Sequence, residues 1–177
     1  MATQDIAAAL RRVESVLARR PEAGLHDDAP ATARWEGGTR VVASHANGTR
    51  LPTDMPSELG GTGDQVTPGW LFRAGLASCA TTSIVLAAAR EGLVLDALEL
   101  RAGSRSDTRG LLGMTGADGA PVPAVPGDVQ LLVRITAQGV PAQRLRALVE
   151  EAVRCSPIPS AVQQAVPLAL HIEVEAR

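Results

Sequence analysis

Residues 67–92, TPGWLFRAGLASCATTSIVLAAAREG, are the longest apolar segment of the chain and decide its architecture. Thr67 before Pro68 is a helix start, because the Thr hydroxyl can cap free amides and Pro at the first helical position loses nothing by lacking an N–H. Gly92 is a stop, so the spacing predicts one helix over 68–91. Trp70, Leu71, Phe72, Leu76, Ile84, Val85 and Leu86 put apolar groups on almost every face, the pattern of a central helix enclosed by other elements. Arg73, Arg90 and the many alanines argue for a core helix and against a membrane span.

Outward from that helix, Ile6, Leu10, Val13 and Leu17 recur at helical spacing and predict an amphipathic helix over residues 4–20 that needs an apolar surface to cover. The stretch ATARWEGGTRVVASHANGTRLPTD predicts two strands with turns at Gly37-Gly38 and Ala46-Asn47-Gly48, followed by a glycine-rich approach loop, SELGGTGDQVTPG. Beyond Gly92, strands are expected at 95–104 and 129–137, where apolar and polar residues alternate. The intervening SDTRGLLGMTGADGAPVPAVPGD reads as a long loop with room for a strand at its start. PAQRLRALVEEAVR, residues 141–154, is a helix with Leu145, Leu148, Val149 and Ala152 on one side, and LALHIEVEAR alternates as a last strand. This order gives an α+β domain with helices packed on antiparallel sheet. Residues 1–30 are expected to form an N-terminal helix and linker, and residues 31–177 the main domain.

Composition excludes several classes of function. A formal net charge of −2, one Phe, two Trp and no Tyr provide neither a basic field nor stacking platforms for nucleic acid. The chain has no Lys, which removes Schiff-base chemistry and the phosphate-binding lysine of a P-loop. Gly60-Gly61-Thr62-Gly63 therefore reads as turn-forming. His26, His45 and His171 are scattered without ligand spacing, so neither a metal nor a cofactor is expected. The N-terminus lacks the pattern of a secretory signal, and a cytoplasmic location follows. In that reducing compartment Cys79 and Cys155 are either inert or catalytic, not a structural disulfide.

Cys79 lies roughly 18 Å along the helix from Thr67, beyond the reach of the helix dipole. Burial penalises the charged form of a thiol, and the helical neighbours Gly75, Leu76, Thr82 and Ser83 carry no charge. A reactive Cys79 therefore needs an arginine from another segment or another subunit, since a guanidinium stays charged and its fork can meet both a thiolate and a peroxide oxygen. Otherwise Cys79 is a small, soft core residue.

LGGTGDQVTPGWLFRAGLASC resembles the signature of the OsmC/Ohr family, the osmotically inducible and organic hydroperoxide resistance proteins. SDTRGLLG and CSPIPSAV extend the likeness over about residues 32–175. The resemblance implies an intertwined homodimer, antiparallel sheets wrapped around long buried central helices, with a thiol site at each subunit junction. It further implies that Cys79 attacks an organic hydroperoxide and becomes a sulfenic acid, that Cys155 resolves it as an intramolecular disulfide, and that a dithiol such as a lipoyl group restores the thiols. Arg40, after the Gly37-Gly38 turn, is the match to the family's activating arginine, with Arg34 and Arg50 as rivals. Two positions depart from the family pattern. Gly69 stands where peroxidase members carry a Glu, and Ser156 intervenes between Cys155 and Pro157.

The sequence is compatible with three functions. One is a thiol peroxidase in which Trp70, Leu71 and Phe72 line a pocket for an alkyl chain. A second is a noncatalytic dimer that binds a small hydrophobic ligand at the same junction. The third is a partner protein docking through the N-terminal helix.

Overall fold

The computed structural model describes residues 3–174. Helix α1 (Thr3–Arg19) leads through a short 3-10 turn (Pro21–Gly24) to strands β1 (Thr32–Gly37), β2 (Arg40–Ser44) and β3 (Arg50–Thr53). Helix α2 (Pro68–Arg90) follows, then β4 (Ala97–Arg105), α3 (Thr108–Leu111), β5 (Gly127–Thr136), α4 (Ala142–Arg154) and α5 (Pro157–Gln164).

The start of α2 is built as its sequence predicts, with the Thr67 hydroxyl accepting from the Trp70 amide at 3.2 Å. At the other end Gly92 takes a φ of 70°, open to glycine at no steric cost, and its amide donates to Ala89 O at 3.0 Å. Along its length α2 packs against α1, β4, α4 and α5. Leu76 and Ile84 are fully enclosed on that side, a burial that contributes about 2 kcal/mol each. By length and composition α2 could cross a membrane, but it carries Arg73 and Arg90 and serves as the hub of the helical layer.

Enclosure on every face is not what one chain provides. Leu76, Ala80, Ile84, Ala88 and Ala89 are buried, while Trp70 is 48% and Leu86 38% exposed. β4 and β5 pair antiparallel and lay Leu98, Leu100 and Ala102 beside Ile135, Val133 and Leu131 on one face. Glu99 and Arg134 are paired on the other. The amphipathic α1 buries Ala7 and is tied to α2 by Glu14 and Arg90, 2.8 Å apart.

Three expectations are corrected. The segment before α2 holds three strands, not two, in the order β1-β2-β3. Pro52 disguised the third, and it is tolerated because β3 is an edge strand with no ladder hydrogen bond to lose on its open side. The loop after β4 opens with a turn of helix, α3, instead of a strand, because the Asp107 carboxylate caps the Arg109 amide at 2.9 Å. The final stretch is not a strand over its described part, residues 168–174. Leu168, Leu170, Ile172 and Val174 alternate as read, but they are 93, 79, 74 and 86% exposed, and among the described residues no strand pairs with them. Residues 175–177 lie outside the described part.

The β1-β2-β3 sheet makes no extensive contact with the helices. One of its faces carries Ala33, Trp35, Val41, Ala43 and Leu51, by the strand register, and Trp35 is 70% exposed. What joins this sheet to α2 is a corner at the end of β3, where the Asp54 amide donates to Val66 O at 3.1 Å, next to the cap of the helix.

Candidate active site

Cys79 sits midway along α2, half-buried, on the side where α5 docks. α5 can approach closely because α2 presents small residues there: a Cβ placed on Gly75 would lie 3.7 Å from Ile158 Cδ1. Its N-cap, Ser156, is consequently pressed onto the helix with 0% of its surface exposed, and its Oγ lies 3.2 Å from Cys79 Sγ. A hydroxyl in that position can donate to a thiolate or accept from a thiol.

Cys155 occupies the preceding position, the C-cap of α4, with φ −90° and ψ 4°. Its thiol is free and exposed, and turns back along α4 to lie 3.6 Å from Glu151 Oε1. Glu151 is held in turn by a two-point contact with Arg154, 2.6 and 2.9 Å, which keeps its carboxyl below the usual range. Cys155 also faces a groove of about 180 Å³ shared with Ser83, Leu86 and Arg90. The group that the structure sets against Cys79 is thus Ser156, the residue directly before Pro157, while the sulfur of Cys155 is directed to Glu151.

Arg40 opens β2, immediately after the turn it was expected to follow. Its Nη2 reaches Asp64 Oδ1 at 2.5 Å, Thr62 Oγ1 at 2.8 Å and Asp54 Oδ2 at 3.2 Å. Asp54 is the centre of this cage, 2% exposed. It accepts from Thr39 Oγ1 at 2.5 Å, Thr62 Oγ1 at 2.6 Å, Met55 N at 2.8 Å and Thr62 N at 3.1 Å. Those donors, the Thr39 hydroxyl first, hold the Asp54 carboxyl far below its ordinary value. Asp64 is lowered too, chiefly by the Thr62 hydroxyl and then by Arg40, and Arg40 is raised mainly by Asp64.

The glycine-rich loop makes the cage possible. Gly60 turns at φ 81°, and a Cβ on Gly61 would fall 1.8 Å from Met55 O. The glycines serve the turn, as their lack of nucleotide-binding spacing indicated. Of the rival arginines, Arg50 pairs with Glu36 at 3.0 Å and Arg34 is exposed on β1.

Among the described residues no hydrogen bond joins Arg40 to Cys79 within one chain. Gly69, the position where a Glu was expected, faces a different arginine: a Cβ there would lie 3.7 Å from Arg73 Nη1. Arg73 itself reaches Ser104 Oγ on β4 at 3.4 Å. Trp70 is partly exposed and Leu71 and Phe72 half-buried at this end of α2, whereas a cavity of about 550 Å³ lies at the far end, between α1 and Ala89, Arg90 and Val94. The structure sets Cys79 against Ser156, Cys155 against Glu151 and Arg40 against Asp54, Thr62 and Asp64; the sequence marked Ser156 only as an interruption and gave no role to Asp54, Thr62 or Asp64. The extra Ser before Pro157 was the visible signal for the first.

Residues 61–171 match the family model described as OsmC-like protein. Among solved structures the chain is similar to an OsmC-like protein from Mycoplasma pneumoniae, at 15% identity and a TM-score of 0.64, covering 78% of this chain and 89% of that one. It is also similar to an organic hydroperoxide resistance protein OsmC from Legionella pneumophila, at 24% identity, a TM-score of 0.55 and coverage of 78% and 91%. A third is an organic hydroperoxide resistance protein from Elizabethkingia anophelis, at 20% identity, a TM-score of 0.57 and coverage of 78% and 90%. At these identities the structural likeness establishes the fold. No curated protein matches the sequence closely enough to lend it an activity.

Proposed function

The chain belongs to the OsmC-like family, and on that premise we propose that it is a thiol-dependent peroxidase that reduces organic hydroperoxides at Cys79. The observation that carries the reading is the environment of that thiol: half-buried on the central helix, inside the matched region, with a buried hydroxyl 3.2 Å from its sulfur. Cys79 as thiolate attacks the terminal peroxide oxygen. The O–O bond breaks, the alkoxide leaves and takes up a proton, and the sulfur, oxidised by two electrons, becomes a sulfenic acid. Apolar Trp70, Leu71 and Phe72 favour an alkyl hydroperoxide over hydrogen peroxide.

The activating cation is Arg40, brought to Cys79 across the junction of a homodimer. Two features support this assembly: the exposed apolar face of the β1-β2-β3 sheet around Trp35, and the outward face of α2 at Trp70 and Leu86. Two routes lead from the sulfenic acid back to the thiol. In one, Cys155 closes a disulfide that a dithiol reductant, such as a lipoyl group on a partner protein, reopens. In the other, the external thiol attacks the sulfenic acid itself. Both cysteines are free thiols, in keeping with a cytoplasmic setting.

A second reading, a noncatalytic dimer that binds a small hydrophobic ligand, is favoured by one observation. Arg40 is already engaged by Asp54 and Asp64. Turnover of cumene hydroperoxide with dithiothreitol separates the two. The peroxidase consumes hydroperoxide in a reaction that Cys79→Ser abolishes, and runs more slowly on hydrogen peroxide. Wild-type thiols left intact by stoichiometric hydroperoxide at neutral pH would exclude the peroxidase.

A further inference from the structure

We propose that Cys79 operates without an intramolecular resolving thiol: its sulfenic acid rests against the Ser156 hydroxyl and is reduced directly by an external thiol, a step that rests on the peroxidase reading. The joint between α4 and α5 allots its two side chains to different sides. Ser156 is turned into the protein against Cys79, and Cys155 outward to Glu151. The joint is pinned by four hydrogen bonds: Cys155 N to Glu151 O at 3.1 Å, Ser156 N to Val153 O at 3.1 Å, Ser160 N to Ser156 O at 3.0 Å, and Ser160 Oγ to Arg154 O at 3.0 Å. Carrying the Cys155 sulfur to Cys79 would pull Ser156 out of a fully enclosed seat and break part of this set, leaving buried polar groups without partners.

A hydroxyl cannot close a disulfide, but it can hydrogen-bond each form the sulfur passes through. It donates to the thiolate before attack and accepts from the S–OH proton after it. The cycle then balances with two external thiol groups. The first attacks the sulfenic sulfur, forming a mixed disulfide and releasing water. The second attacks that disulfide, restoring the Cys79 thiol and leaving the reductant oxidised. A dithiol supplies both groups from one molecule and departs as a cyclic disulfide. The same geometry suits a sulfur at position 156: from 3.2 Å, the contact needs to close by only about 1 Å to reach the S–S bond length of about 2.05 Å.

The test treats wild type, Cys155→Ser, Ser156→Cys and Cys79→Ser with one equivalent of cumene hydroperoxide, then counts thiols and takes intact masses with dimedone as sulfenic-acid trap. Wild type should lose one thiol per chain and carry the dimedone adduct at Cys79. Cys155→Ser should lose its one remaining thiol and carry the same dimedone adduct at Cys79, in the same yield as wild type. Ser156→Cys should lose two of its three thiols, form a Cys79–residue 156 disulfide and escape dimedone. Loss of both wild-type thiols as an intramolecular disulfide, with the adduct appearing only in Cys155→Ser, would overturn the proposal and leave the peroxidase reading intact. Failure of hydroperoxide to consume a thiol in every variant would remove both.

Discussion

Gly61 lies so close to Met55 that a Cβ on it would fall 1.8 Å from the Met55 carbonyl oxygen and 2.9 Å from Asp54 Oδ1. Both atoms are fixed, one as backbone and the other at the centre of the Arg40 cage, so the loop cannot yield cheaply. Gly61→Ala should destabilise the protein by about 3 kcal/mol or more, at the upper end for overpacking. Urea denaturation would show a lower midpoint at unchanged slope. A midpoint equal to wild type would mean that the loop moves aside freely.

The Asp54 carboxyl predicts how stability responds to acid. Its folded-state pKa is depressed, so between that value and the unfolded value of about 3.9 the unfolded chain binds the extra proton. The stability it contributes is therefore complete above about pH 5 and is lost as pH falls below about 4 toward the folded value. Denaturation midpoints should drop over that range in wild type. Asp54→Asn should be less stable near neutrality, with a shallower acid limb, and an unchanged limb would exclude Asp54 as its source.

Gly69 offers a site for gain. A side chain there meets Arg73 Nη1 at 3.7 Å and Thr67 Oγ1 at 3.9 Å, ordinary contact distances. Gly69→Glu relieves the helical cost of glycine, places an anion in the first turn of α2 and forms an i,i+4 pair with Arg73. Together these should stabilise the protein by about 1 kcal/mol, raising Tm by a few degrees. A fall in Tm would show that the start of α2 needs glycine for another reason.

If Arg40 is the cation at Cys79, Arg40→Gln should reduce the second-order rate with cumene hydroperoxide by about 100-fold, the usual cost of losing a preorganised charge-stabilising group. The same change in Arg34 or Arg50 should leave the rate near wild type. Stopped-flow measurement of thiol loss would rank the three, and a larger loss at Arg34 or Arg50 would reassign the role.

A sulfenic acid without a neighbouring thiol stays open to further peroxide. With excess hydroperoxide and no reductant, wild type should go on to a sulfinic acid at Cys79 and lose activity irreversibly, whereas Ser156→Cys should recover with dithiothreitol. Intact mass would distinguish the two products. Full recovery of wild type would argue for an internal resolving thiol.

The elements most legible in sequence were those with a local cause. Thr67-Pro68 and Gly92 bounded α2, alternation marked β4 and β5, and a single apolar side marked α4. Features that depend on partners were less legible. Residues 168–174 alternate as a strand would, but alternation specifies faces and not the neighbour that must supply hydrogen bonds. Pro52 obscured an edge strand, and Pro157 and Pro159 obscured α5. At the site, position along α2 placed Cys79 beyond the helix dipole, and only the family resemblance singled it out. The exchange of Cys155 for Ser156 turns on one backbone conformation at a helix end, which spacing does not encode. The Asp54 cage draws donors from residues 39, 40, 55 and 62, which meet only after the loop has folded.

The corner at Asp54 also governs mechanics. Its side chain gathers the loop and Arg40 while its amide holds Val66, one residue before the helix cap, so the outlying sheet is geared to the first turn of α2 through a single residue. The placement of this sheet beside the helical layer is thus decided not by apolar packing but by five hydrogen bonds around one carboxylate.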